Sequence, residues 1–146
     1  MPSSYSFRKI EDNPDGKKGI LWTRNAKEVL MIDRWVEEIK QTANPKELGM
    51  ILVHNGIVRC TSKSGNPVQG MRLSYDEKKL NSAIPIFKQR KGVAEVKVWI
   101  NNGNLKVGDN IMFLLVAGRF KSDVLPVLEE LLAFVKNEIV TEEEVL

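Results

Sequence analysis

Val96-Lys97-Val98-Trp99-Ile100, then Gly103-Asn104-Leu105-Lys106-Val107-Gly108-Asp109, then Ile111-Met112-Phe113-Leu114-Leu115-Val116: this stretch decides the fold. Val96, Val98 and Ile100 recur every second residue, the period of a strand. Ile111 to Val116 reads as a second strand. The segment between them opens and closes on glycine-containing turns. It lacks the glycine pattern and the following helix of a phosphate-cradling loop, so it is read as a connection.

Upstream, Asp76 to Lys91 has a helical pattern, with Leu80, Ile84 and Phe87 facing inward and Pro85 expected to kink or break it. Met71, Leu73 and Tyr75 alternate with polar neighbours as a half-buried strand. Cys60 to Gln69 is a loop turning at Ser64-Gly65-Asn66-Pro67. Gly49 to Arg59, rich in Ile, Leu and Val and bounded by glycine, is a largely buried strand. From Ala26 a helix carries Val29, Ile32, Val36 and Ile39 on one face with Trp35 beside them. Asn25 or Thr23 can cap it, and Asn44-Pro45 ends it. Residues Met1 to Gly19 are polar, with Pro14 and Gly16, and read as an N-terminal extension. Residues 20–146 then form one domain.

Downstream, Asp123 to Glu138 is the strongest helix, with Val124, Leu128, Leu131 and Val135 on one face. Ser122 or Asp123 can cap it, which puts Pro126 in the first turn. The run Glu142-Glu143-Glu144 reads as a solvated charged end. The order α, β, β, α, β, β, α, with strands in neighbouring pairs, points to an α+β fold rather than a strict βαβ series.

The length of 146 residues suits a single domain with a real core. Hydrophobic residues at 42% and charged residues at 28% are those of a soluble globular chain. No apolar run is long enough to span a bilayer, and the N-terminus lacks a signal peptide's apolar stretch. With one cysteine, Cys60, no internal disulfide forms, and a cytoplasmic location is expected. One histidine and one cysteine support neither a metal site nor a Cys-His nucleophile. His54, on an apolar strand, is read as a packed, hydrogen-bonded side chain. The net charge of +3 is too small to announce a nucleic-acid binder, and Lys88-Gln89-Arg90-Lys91 lacks interleaved aromatics.

From Gly49 to Glu143 the chain resembles the large, catalytic subunit of molybdopterin synthase, the MoaE family. The carriers are ordered signposts: the strand ending Gly56-Ile57-Val58-Arg59, the strand end Leu73-Ser74-Tyr75-Asp76, the Gly-x-Leu-x-x-Gly-Asp turn at 103–109, and Lys136 at the close of the last helix. The resemblance implies an α/β hammerhead-type fold, a mixed or antiparallel sheet with flanking helices, a homodimer and no cofactor. Three tryptophans, Trp22, Trp35 and Trp99, add apolar surface that a dimer can share. It further implies a small ubiquitin-like sulfur-carrier subunit whose thiocarboxylated Gly-Gly terminus enters a pocket. The substrate is cyclic pyranopterin monophosphate, which receives two sulfurs.

Carried over residue by residue, Lys136 is the catalytic candidate, as an attacking or proton-shuttling amine. Arg59, Lys121 and Arg119 are the substrate-binding candidates, since cations meet a phosphate. Each has a plain alternative: Arg59 as a solvated strand-end arginine, Lys121 as a surface lysine, Lys136 as a helix-terminal lysine complementing the macrodipole. The chain departs from the family where its Ala-His-Arg becomes Arg119-Phe120-Lys121, where its tryptophan becomes Glu142, and where its second lysine becomes Glu143. A carboxylate in place of a cation at ~4 Å from a phosphate changes binding by terms on the order of a few kcal/mol each at an effective dielectric of about 20. Two functions therefore follow: a sulfur-transferring large subunit, or a paralogue of the same fold acting as a binding or scaffold protein.

Overall fold

The computed structural model of the chain describes residues 26–146, with side chains from residue 27 onward. The chain divides into two compact units, residues 1–41 and Thr42–Leu146. The expected extension of residues 1–19 and the Asn25 or Thr23 cap lie outside the described residues. In the first unit, helix α1 runs Ala26–Thr42. Its buried residues are Leu30 and Ile39, with Val29, Ile32, Trp35 and Val36 half-buried. Beyond its end, Asn44 organises a turn, its side-chain oxygen accepting from the Lys46 amide at 3.0 Å and its carbonyl from the Glu47 amide at 2.8 Å.

The second unit holds β1 (Met50–Ile57), β2 (Gly70–Tyr75), α2 (Glu77–Lys88), β3 (Val93–Ile100), β4 (Gly103–Lys106), β5 (Asn110–Gly118), α3 (Lys121–Phe134), a π-helical turn (Val135–Ile139) and β6 (Val140–Val145). Every strand pairing is antiparallel. One three-stranded sheet has the order β1-β5-β3 and the other β4-β2-β6. The fold is α+β, as the paired strands predict.

The central strand β5 is buried along almost its whole length, from Ile111 to Gly118. Antiparallel partners share a face, so His54, Leu114 and Val98 line one side of that sheet and Asn55, Phe113 and Trp99 the other. On the first side, Met112, Leu114 and Val116 join Val124, Val127, Leu131 and Val135 in one apolar cluster, which extends to Met71, Leu73 and Leu105 of the second sheet. On the second side the rings of Trp99 and Phe113 pack at 4.8 Å. Leu131 is fully buried, a burial that contributes about 1.5–3 kcal/mol.

The Gly103–Asp109 segment earns its spacing. Gly108 adopts φ +90, a region that a side chain strains, and donates its amide to the Val58 carbonyl at 2.8 Å. The Asp109 carboxylate accepts from the Lys106 amide at 2.8 Å, and Leu105 is buried. Part of this segment is itself the strand β4, which the sequence reading took as a plain connection. The turn is thereby stitched to the end of β1, just before Arg59.

Four expectations need correction. The strand expected to be largely buried, β1, is half-buried, and Val53, Asn55 and Ile57 are exposed because one face of this edge strand meets solvent. Pro85 does not break α2, which continues to Lys88. Pro85 and Asn81 are both exposed, so the Asn81 carbonyl left without its amide partner can meet water. The cap of α3 is neither Ser122 nor Asp123 but Phe120, without a side-chain bond, which moves Pro126 out of the first turn. The C-terminal run is not a loose charged end. It is β6, laddered residue by residue onto β2 from Val140 opposite Tyr75 to Val145 opposite Gly70. Glu143 is exposed while Val140 and Val145 are half-buried, and backbone bonds hold the strand in register.

Candidate functional site

Lys136 sits on the π-helical turn that joins α3 to β6. The buried side chains Val135 and Ile139 anchor that turn, and the Ile139 carbonyl accepts from the Asp76 amide at 3.0 Å. Lys136 itself is half exposed, at 50%, and its Nζ stands 3.8 Å from Oε1 of Glu142. Glu138, on the same turn, pairs with Lys79 of α2 at 3.3 Å.

His54 enters this cluster from β1. Its Nε2 lies over Gly56, two residues along on the same face, where a larger side chain would contact it. Partial burial, and then the positive charge of Lys136, hold the imidazole below its usual pKa. The charge of Lys136 thus reaches His54. The sequence reading took it for a packing residue because its strand is apolar, and nothing local to residue 54 announces Lys136. The contact of Glu142 with Lys136 is not legible in the sequence for a related reason: no local signal shows that a run of glutamates forms a strand.

Alternation along β6 sorts the three glutamates. Glu143 pairs across the ladder with Arg72, and their side chains meet at 2.9 Å on the exposed face. Glu142 and Glu144 lie opposite the buried Leu73 and Met71, on the other face. Glu142, not Glu143, therefore confronts Lys136.

The other candidates lie elsewhere. Arg59 follows β1 and donates Nε to the Thr61 carbonyl at 2.9 Å. Arg119 and Lys121 follow β5 at the opposite end of the sheet, where Met50 is paired with Gly118. The eight residues of β1 separate these ends by roughly 25 Å. Arg119 is engaged by carboxylates, Asp123 at 3.3 Å and Glu47 at 3.8 Å, and lies over the Phe120 ring at 5.5 Å. Lys121 lines an open, largely apolar hollow with Phe120, Leu125 and Pro126. Among the described residues neither Arg59 nor Lys121 has an ion-pair partner. Arg90 and Lys88 of the basic run are paired with Glu130 and Glu95. No group of three or more His, Cys, Asp or Glu among the described residues is arranged to hold a metal ion. None of the helices among them is long and apolar enough to cross a membrane.

Set against known proteins, residues 27–138 match the MoaE protein family, a span that takes in α1 through the π-helical turn. The chain belongs to the MoaE family. The fold agrees with solved relatives. The molybdopterin synthase structure from Staphylococcus aureus superposes with a TM-score of 0.62 at 18% identity, covering 75% of this chain and 82% of that one. The complex of subunits 1 and 2 of the molybdopterin-converting factor from Helicobacter pylori gives a TM-score of 0.63 at 18% identity, covering 80% and 77%. The molybdopterin biosynthesis MoaE protein from Burkholderia ambifaria gives 0.60 at 19% identity, covering 78% and 81%. At such identities these structures speak for the shared fold. Comparison with curated proteins gives no significant match. Membership in the MoaE family connects the chain with molybdopterin biosynthesis.

Proposed function

We propose that the chain is a molybdopterin synthase large subunit acting in molybdenum cofactor biosynthesis. In this reading it receives sulfur from the thiocarboxylated terminus of a small ubiquitin-like carrier and transfers it to cyclic pyranopterin monophosphate. The observation that carries the reading is Lys136, within the family match, on a π-helical turn with its side chain half exposed. Such turns recur at functional sites. The Helicobacter pylori structure, a complex of two different subunits, supports a small-subunit partner.

The separation of the cations gives the reading its form. Arg59 lies at one end of the β1-β5-β3 sheet, Lys121 and Arg119 at the other. One substrate cannot touch both sets within one chain. A homodimer whose isologous packing brings Lys121 of one copy to Lys136 and Arg59 of the other would let both sets reach one substrate. Arg59 and Lys121, without carboxylate partners, are the cations available to the substrate phosphate, and Lys136 is the amine at the reacting end. Residues 1–19 stand as an extension to a domain of residues 20–146, and the location is cytoplasmic.

The second reading, a binding or scaffold paralogue, draws on the carboxylates that engage Lys136 and Arg119. Mixing the purified protein with thiocarboxylated carrier and cyclic pyranopterin monophosphate decides between them. Molybdopterin should form with wild type and not with Lys136→Ala, whose thermal midpoint should stay nearly unchanged, since a terminal lysine contributes about 0.3–1 kcal/mol. Turnover by neither protein, with carrier binding intact, would support the scaffold reading instead.

A further inference from the structure

We infer that Glu142 is a specificity-determining residue of the Lys136 site, its carboxylate acting as a built-in competitor for the oxyanion that the ammonium would otherwise hold. The inference rests on Lys136 being the functional cation proposed above. Its geometric basis is β6. Glu142 stands opposite Leu73, which is 3% exposed, and the ladder to β2 continues on both sides. The carboxylate therefore cannot swing clear of Lys136 by backbone movement without breaking strand bonds. Its side chain is 25% exposed against 50% for Lys136, so the pair is partly shielded from solvent.

The surroundings do not restore a positive site. The π-helical turn contributes Lys136 and Glu138, α2 contributes Lys79 bound to Glu138, and β6 contributes Glu142. β1 contributes His54, whose imidazole pKa is lowered by burial and then by Lys136. β5 presents Leu114 opposite His54, with Ile111 and Met112 beside Gly56. The formal charges of Lys136, Glu138, Lys79 and Glu142 cancel. A carboxylate or phosphate binding at Lys136 competes with Glu142 for the ammonium. A neutral group, or one bringing its own cation, enters without that competition.

The protein has a single histidine, so the His54 ring signals in a proton–carbon NMR spectrum report this cluster without overlap. Four proteins are titrated with pH: wild type, Glu142→Gln, Lys136→Gln and the double variant. Glu142→Gln should push the His54 midpoint further down, because Lys136 loses its counter-charge. Lys136→Gln should raise it, and the double variant should follow Lys136→Gln. At constant neutral pH, inorganic phosphate and, separately, acetate should shift the His54 signal of Glu142→Gln at about threefold to tenfold lower concentration than in wild type. The gain should vanish in the double variant. An unmoved His54 midpoint in Glu142→Gln, no gain in anion affinity, or a gain that survives loss of Lys136 would each overturn the inference. Phosphate and acetate behaving alike marks general oxyanion competition, and a gain for phosphate alone marks a phosphate-selective site. Synthase turnover is a separate readout. If Lys136→Ala keeps full turnover while the NMR coupling and anion gain hold, the catalytic reading fails and the competition stands.

Discussion

Replacing Glu143 by lysine distinguishes the observed register of β6 from its neighbours by one residue. In wild type, Arg72 and Glu143 meet at 2.9 Å with side chains 60% and 65% exposed. Pairs so exposed contribute about 0.2–1 kcal/mol. Reversing the charge removes that and sets two cations near ~4 Å, which in a water-like dielectric costs about 1 kcal/mol more. A loss of about 1–2 kcal/mol at low salt follows. For a chain of 146 residues this lowers the thermal midpoint by roughly 3–8 °C. At ~1 M salt the screening length falls to about 3 Å, and most of the difference should disappear. Thermal melts of both proteins at two salt concentrations measure it. Anion titration at neutral pH, followed on His54, should show no gain, because residue 143 points away from Lys136. A tenfold gain in anion affinity with no change in the melt would refute the register and put residue 143, not 142, beside the lysine.

Other outcomes follow from the packing and the titrating groups. Leu131, fully buried against the β5 face, should cost about 2–5 kcal/mol when changed to alanine, read from denaturant unfolding. A loss under about 1 kcal/mol would contradict its place in the cluster. His54 has a folded pKa below its ordinary 6.5, so the unfolded chain binds its proton more readily. Its contribution is therefore in place above pH 6.5 and is lost as pH falls from 6.5 through the lower folded value. His54→Phe should flatten the stability profile in that window, and an unchanged slope would contradict the depressed pKa.

Much of this arrangement is legible in the chain, and the exceptions share a cause. β1, β3 and β5 declare themselves because they are rich in Val, Ile and Leu, which pack well on a pleated sheet. β4 and β6 do not. Gly103-Asn104-Leu105-Lys106 and Thr141-Glu142-Glu143-Glu144 are poor strand formers that become strands through β2, a partner distant in sequence. Asp123 looks like a cap, yet its carboxylate is taken up by Arg119. The site divides likewise. Lys136 is placed by the register of the last helix, which the apolar face of α3 announces. Its neighbours His54 and Glu142 arrive through sheet pairing, and Arg119 meets its carboxylates only when β5 turns into α3. Tertiary pairing, rather than local preference, decided each of these.

The proposed function requires a site completed across two copies of the chain, with Lys136 from one and Lys121 from the other. Complementation tests it most directly. Lys136→Ala and Lys121→Ala are purified separately, unfolded and refolded together at equal amounts, and assayed for molybdopterin formation with thiocarboxylated carrier and cyclic pyranopterin monophosphate. Random pairing makes half the dimers mixed, and each mixed dimer holds one intact site of two. Two proteins that are inactive alone should together recover about a quarter of wild-type turnover. No recovery, in a mixture shown to contain mixed dimers, would contradict a shared site and leave at least one of the two lysines outside the chemistry.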